Sequence, residues 1–100
     1  MMATDINTQT KEKIKLDEPG LYDVIFLNDN ITTMEFVIKV LKQIFGKTPE
    51  QAMAIMNKVH NDGQGVVGSY VHEVAEQKGI ETTLAARQEN FPLQVKVKKQ

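Results

Sequence analysis

Three stretches of the chain carry the apolar pattern of strands, and three others repeat apolar residues every three to four positions in the manner of helices. Leu21 to Leu27 is rich in β-branched and aromatic side chains, and its near-continuous apolar character predicts a strand covered on both faces. Asn28-Asp29-Asn30 ends that strand with turn formers. Thr32, three residues before Glu35, has the spacing of a capping box, so a helix is expected to start there. Met34, Val37, Ile38, Leu41, Ile44 and Phe45 then form its buried stripe, and Gly46 is placed to stop it. Thr48 caps a second helix, with Pro49 at the first position, where a missing N–H costs nothing. Ala52, Ile55, Met56 and Val59 share one face of this helix, with Met53, Met56 and His60 on an adjoining ridge, and Asn61-Asp62-Gly63 ends it.

Gly65 to Val71 predicts a short second strand, in which Gly68 marks a bulge or a close backbone approach. His72 to about Asn90 favours helix through its Ala, Glu, Gln and Leu content, with Val74, Ala75, Leu84 and Ala85 as packing residues. Gly79 and the Thr82-Thr83 pair weigh against one uninterrupted rod. Beyond Pro92, Leu93 to Lys98 alternates as a half-buried strand with its lysines toward water. The expected fold is therefore α+β, a small three-stranded antiparallel sheet packed against three helices in the order β-α-α-β-α-β, with the helices on one side. Residues 1–20 are polar and end at Pro19-Gly20. They offer too little apolar area to offset ordering entropy, which predicts a flexible N-terminal extension ahead of a core over residues 21–100. Ile14 and Leu16 are available there for transient docking.

Composition narrows the function classes. The chain has 100 residues, 41% of them hydrophobic, enough for one small core. It has no Cys, which removes disulfides, thiolate nucleophiles and thiolate metal sites and fits a cytoplasmic address. Twelve basic and thirteen acidic side chains nearly cancel, so no long-range field favours nucleic acid or an anionic membrane. No apolar run approaches the length of a membrane span, and the N-terminus has the pattern of neither a signal nor a transit peptide.

Candidate chemistry is sparse. His60 and His72 are the two imidazoles, they sit on different expected elements, and no Ser or Thr is paired with either by a triad signature. No metal-ligand spacing is present, and Gly63, Gly65 and Gly68 match neither a phosphate loop nor a dinucleotide fingerprint. An enzyme, a metal site and a cofactor are therefore not expected. What survives is a pocket. The Asn28 turn supplies oxygen acceptors beside the Thr32 hydroxyl, and Met34, Met56, Val59 and His60 converge on it if the two helices pack near that turn. Met and Val at helical spacing equally fill an ordinary core, so the residues alone also leave open a structural or other interaction domain whose Asn28 turn merely caps a helix.

The segments Tyr22 to Leu41, Met56 to His60, Glu73 to Lys78 and Arg87 to Leu93 together resemble the ClpS family of ATP-dependent Clp protease adaptors. The resemblance covers nearly everything after Gly20. Its most specific part is Asn28-Asp29 through Thr32, followed by Met34-Glu35-Phe36-Val37. It implies a non-catalytic, cofactor-free adaptor, monomeric when free, that binds a destabilising N-terminal residue, Leu, Phe, Tyr or Trp, on a substrate protein. The adaptor would hand that protein to the N-terminal domain of ClpA or a ClpC-type AAA+ unfoldase coupled to the ClpP peptidase, with the N-terminal extension taking part in delivery.

Carried residue by residue, the resemblance implies that Asn28, Asp29, Asn30 and His60 form the polar cluster around the substrate's α-amino group. Thr32, Met34, Val37, Met56, Val59 and Leu93 would line or border the slot for its side chain, and Glu73 and Lys78 would face the unfoldase. The chemistry is consistent. A free α-amino group has a reference pKa of about 8 and is an ammonium at neutral pH, so it requires acceptors. Asn28 can accept through its oxygen and donate through its nitrogen, while His60 accepts only when neutral, so binding is expected to weaken as the imidazole protonates. The sequence departs from the family pattern at Asn30, where many relatives carry a second Asp, at Ile31, and at Thr33, where Pro is common. A neutral acceptor at Asn30 predicts weaker ammonium binding than a carboxylate would give.

Overall fold

Val24, Ile25 and Phe26 are the centre of the chain's most apolar strand, and they take the middle of the sheet, 0%, 7% and 0% exposed. In this computed structural model, which describes residues 20–100, the strand is β1 (Tyr22–Leu27). It is followed by α1 (Met34–Gln43), α2 (Pro49–Asp62), β2 (Gln64–Tyr70), α3 (His72–Gln88) and β3 (Gln94–Lys99). The expected β-α-α-β-α-β order and three-stranded antiparallel sheet are thus found, with strand order β2-β1-β3. Of the expected N-terminal extension, all but Gly20 lies outside the described residues.

Alternation along β1 sends Val24 and Phe26 into the core, where they meet Phe36, Val40 and Leu41 of α1, Phe45 just beyond it, and Ala52, Met56 and Val59 of α2. Phe26 and Phe45 meet edge to face, centroids 5.6 Å apart. β2 pairs with β1 through a register slip between Val24 and Ile25, which lie opposite Gly68 and Val66, leaving Val67 as the extra residue. The irregularity expected at Gly68 is present, and the Tyr70 ring lies directly over that glycine. On the other sheet face, Lys96 and Lys98 are exposed as expected. Asp23 there accepts hydrogen bonds from the Ser69 hydroxyl (2.6 Å) and the Gln100 amide (2.9 Å), which, with Lys98, hold its carboxyl below the usual carboxylate range.

Three expectations about the helices are corrected here. The cap of α1 is Thr33, whose hydroxyl accepts from the Phe36 amide at 3.1 Å, and not Thr32 in a box with Glu35. The Thr32 hydroxyl and amide are instead drawn back onto Asp29, which moves the helix start by one residue. On α3, Val74 and Leu84 are exposed (41% and 61%), while Ala75, Gly79, Thr82 and Ala86 are buried. A stripe of small residues lets this helix lie close against the sheet. Thr82 is accommodated there because its hydroxyl donates to the Lys78 carbonyl at 2.8 Å, and the helix runs unbroken from His72 to Gln88 despite Gly79 and the threonine pair.

α2 behaves as expected. Thr48 and Gln51 form a reciprocal capping box, Pro49 opens the helix, and Gly63 closes it at φ 87°, a conformation that costs a side-chain-bearing residue more. Lys78 is half-buried, and its ammonium donates to the Ile44 carbonyl at 2.8 Å, past the C-terminal end of α1. It also stands 5.6 Å from the Phe45 ring centre and 5.4 Å from that of Tyr70.

Candidate functional site

The polar turn after β1 is built by Asp29. Its Oδ1 accepts from the amides of Ile31 (2.8 Å) and Thr32 (2.6 Å), and its Oδ2 accepts from the Thr32 hydroxyl (2.8 Å). Partial burial pushes the Asp29 carboxyl up, but the Thr32 amide, the Ile31 amide, the Thr32 hydroxyl and the positive charge of Arg87 together outweigh burial and hold it below the usual range. Asp29 is therefore ionised at neutral pH. Three of its roughly four acceptor positions are already used inside the turn.

A second tie brings the turn to α2. The Asn28 amide donates to the carbonyl of Gly63 at 2.9 Å, so the left-handed residue that ends α2 also anchors the helix end beside the end of β1. This places the last turn of α2, with His60, across from Asn28. β2 starts at Gln64 and passes close beneath. A Cβ on Gly65 would stand 3.0 Å from Cγ2 of Val59, so the absence of a side chain there leaves Val59 its place.

The result is a cleft of about 370 Å³ between the Asn28–Thr33 turn, the start of α1 and the second half of α2. Val37, Met56 and Val59 give it an apolar floor and are 7%, 6% and 4% exposed. Met34, at the first position of α1, is 49% exposed and flanks the opening rather than filling the core stripe expected of it. Asn28, Asp29, Asn30 and Thr32 line the polar side, and His60 closes the α2 end. Oxygen acceptors and one carboxylate thus share a cleft with an apolar floor. Such a site suits a cation joined to an apolar group.

Nine of the ten residues named for this pocket from the sequence line the cleft. Leu93 does not: it is 1% exposed in the same core cluster as Val37, Met56 and Val59, behind the wall rather than on it. Glu73 and Lys78 are not cleft residues. Glu73 is exposed in the first turn of α3, whereas Lys78, an ordinary surface lysine by composition, ties α3 to the end of α1. The structure adds Ile31 and Thr33 to the lining. The signal that could have found Ile31 is an apolar residue inside an otherwise polar turn. Among the described residues no three histidine or carboxylate side chains come together to hold a metal ion.

A fold of this size, with a preformed cleft that pairs acceptors with an apolar floor, defines a small ligand-recognition module. The particular family follows from comparison with known proteins. The family model described as ATP-dependent Clp protease adaptor protein ClpS matches residues 17–96, and the chain belongs to this family. It is 45% identical over 95 residues to an ATP-dependent Clp protease adapter protein ClpS of Campylobacter jejuni subsp. doylei, covering 95% of this chain and 99% of that one. It is 49% identical over 85 residues to the protein of that name in Treponema denticola, covering 85% and 84%. The solved structure of Agrobacterium tumefaciens ClpS2 bound to L-phenylalaninamide superposes with a TM-score of 0.79 at 34% identity, covering 82% of this chain and 99% of that one. The chain is accordingly a Clp protease adaptor and not an enzyme. No helix among the described residues is long and apolar enough to cross a membrane.

Proposed function

We propose that the cleft binds the first residue of a protein substrate, the α-ammonium against the Asn28 turn and His60, and a Leu, Phe, Tyr or Trp side chain on the Val37-Met56-Val59 floor. The observation that carries this is the pairing, in one cleft, of the acceptors of the Asn28 turn with the apolar floor of Val37, Met56 and Val59. The bound ligand of the Agrobacterium relative has the same two parts, an α-amine and an aromatic side chain. Asn28 and Asn30 accept from the ammonium, and His60 accepts when neutral. Asp29 contributes mainly by fixing the turn and by its charge, since most of its lone pairs are engaged. Thr32 and Met34 border the side-chain slot, and Leu93 supports it from within the core.

The captured protein is then handed, in the cytoplasm, by a monomeric adaptor to the N-terminal domain of a ClpA- or ClpC-type unfoldase. Glu73 meets that domain directly, and Lys78 keeps the α3 surface in register with α1. Residues 1–20 take part in delivery. Titration of the full chain with phenylalaninamide and with N-acetylphenylalaninamide tests the cleft. Acetylation removes the charge and two donors, so affinity is expected to fall at least tenfold. Equal affinities would refute amine recognition.

A further inference from the structure

Ile31 is 62% exposed, the most exposed large apolar side chain among the described residues. Single exposed apolar residues are common and usually mean little. This one stands on the wall of the cleft, and its backbone is held by the bond from its own amide to Asp29 Oδ1 (2.8 Å) and by the two Thr32 bonds that follow. The turn therefore presents an isoleucine outward at a fixed position, so that contact with it costs little further ordering. Met34, 49% exposed on the same wall, extends the apolar rim.

We infer that Ile31 receives the second residue of the bound chain and makes the adaptor favour substrates whose second side chain is apolar. The inference rests on the N-terminal-residue reading of the cleft. With the ammonium at the Asn28–His60 end and the first side chain on the floor, the remainder of the substrate leaves across the rim. In an extended chain successive side chains point to opposite sides, so the second one turns out of the cleft. Only a group standing proud of the surface meets it there, and Ile31 does so at the turn. An isoleucine contact rewards aliphatic or aromatic second residues and offers nothing to serine or aspartate.

The test compares phenylalaninamide, Phe-Leu-amide and Phe-Ser-amide by titration of the full chain and of its Ile31→Ser and Ile31→Leu variants. The backbone bond to Asp29 survives both substitutions. In the unaltered chain Phe-Leu-amide is expected to bind roughly three- to tenfold more tightly than Phe-Ser-amide, the return from partly covering one aliphatic side chain. That ratio falls to near one in Ile31→Ser and persists in Ile31→Leu. An equal affinity for the two dipeptide amides in the unaltered chain, or a ratio that survives Ile31→Ser, overturns the assignment while leaving first-residue recognition intact. Failure of phenylalaninamide itself to bind overturns the functional reading and the assignment with it.

Discussion

Replacing Asp29 with alanine removes one carboxylate and three hydrogen bonds at once. The bond to the exposed Ile31 amide is readily replaced by water and contributes little. The two to Thr32, amide and hydroxyl, are partly buried at 2.6 and 2.8 Å. Charge-assisted bonds contribute roughly 1.5 to 3 kcal/mol each when well buried, and screening at this depth reduces that to about 1 kcal/mol apiece. The expected loss is thus about 2 kcal/mol, or a fall in Tm of roughly 8 to 16 °C for a domain of this length. Asp29→Asn keeps an oxygen for the Thr32 amide and loses the charge, so it is expected to fall about halfway between.

The pH dependence supplies an independent check. A carboxyl whose folded pKa lies below its unfolded value stabilises the fold fully above the unfolded value, about 3.9 for Asp, and loses that contribution as pH falls through the folded pKa. The stability gap between the unaltered chain and Asp29→Asn is therefore full above about pH 5 and narrows as pH falls below about 4. Circular-dichroism melts across pH 3 to 7, with phenylalaninamide titrations at pH 7, measure both effects. A melting point for Asp29→Ala within about 2 °C of the unaltered chain, or a gap independent of pH, would refute the account of the turn.

Three further outcomes are expected. Thr33→Ala removes the side-chain cap of α1 and is expected to cost about 1 kcal/mol in chemical denaturation; a change under about 0.3 kcal/mol would return the cap to another group. Lys78→Met keeps the apolar stem but removes the bond to the Ile44 carbonyl, for an expected loss of about 1 to 2 kcal/mol with phenylalaninamide affinity retained. Unchanged stability there would make Lys78 a surface residue after all. Met34→Ala widens the opening of the cleft and is expected to raise the affinity of Ile- and Val-led peptides relative to Leu-led ones, because the thioether crowds a branched β-carbon; an unaltered ratio removes Met34 from that role.

The strands and helices were legible because their signals are local. Alternation marks β3, Thr48-Pro49 and Gly63 bracket α2, and the apolar run of β1 requires a central place. What was not legible depended on competition or distance. Thr32 and Thr33 both stand where a cap belongs, and the outcome was decided by a carboxylate three residues upstream that claims Thr32. Val74 and Leu84 have the character of core residues but lost that place to Ala75, Gly79, Thr82 and Ala86, because closeness of the α3 backbone to the sheet favours small side chains. For the site, the sequence named the residue types and the family resemblance grouped them. The apposition of Asn28 and His60 rests on a backbone bond between Asn28 and Gly63 that no spacing rule encodes.

The departure at Asn30 has a consequence for how recognition is divided within the cleft. With Asn28 and Asn30 neutral, Asp29 is the one carboxylate on the wall among the described residues, and most of its lone pairs serve the turn. An amide oxygen meets an ammonium as a dipole meeting a charge, whereas a second carboxylate would meet it as a full ion pair. Burying a Leu or Phe side chain on the Val37-Met56-Val59 floor contributes roughly 1.5 to 3 kcal/mol by itself. On the reading proposed for the cleft, Asn30 in place of a second carboxylate lowers the share of binding held at the ammonium end, and the apolar floor carries a correspondingly larger share than in a chain with Asp at that position. On that reading every free N-terminus presents the same ammonium, so selection among first residues falls to the shape of the slot and its rim, at Met34 and Ile31.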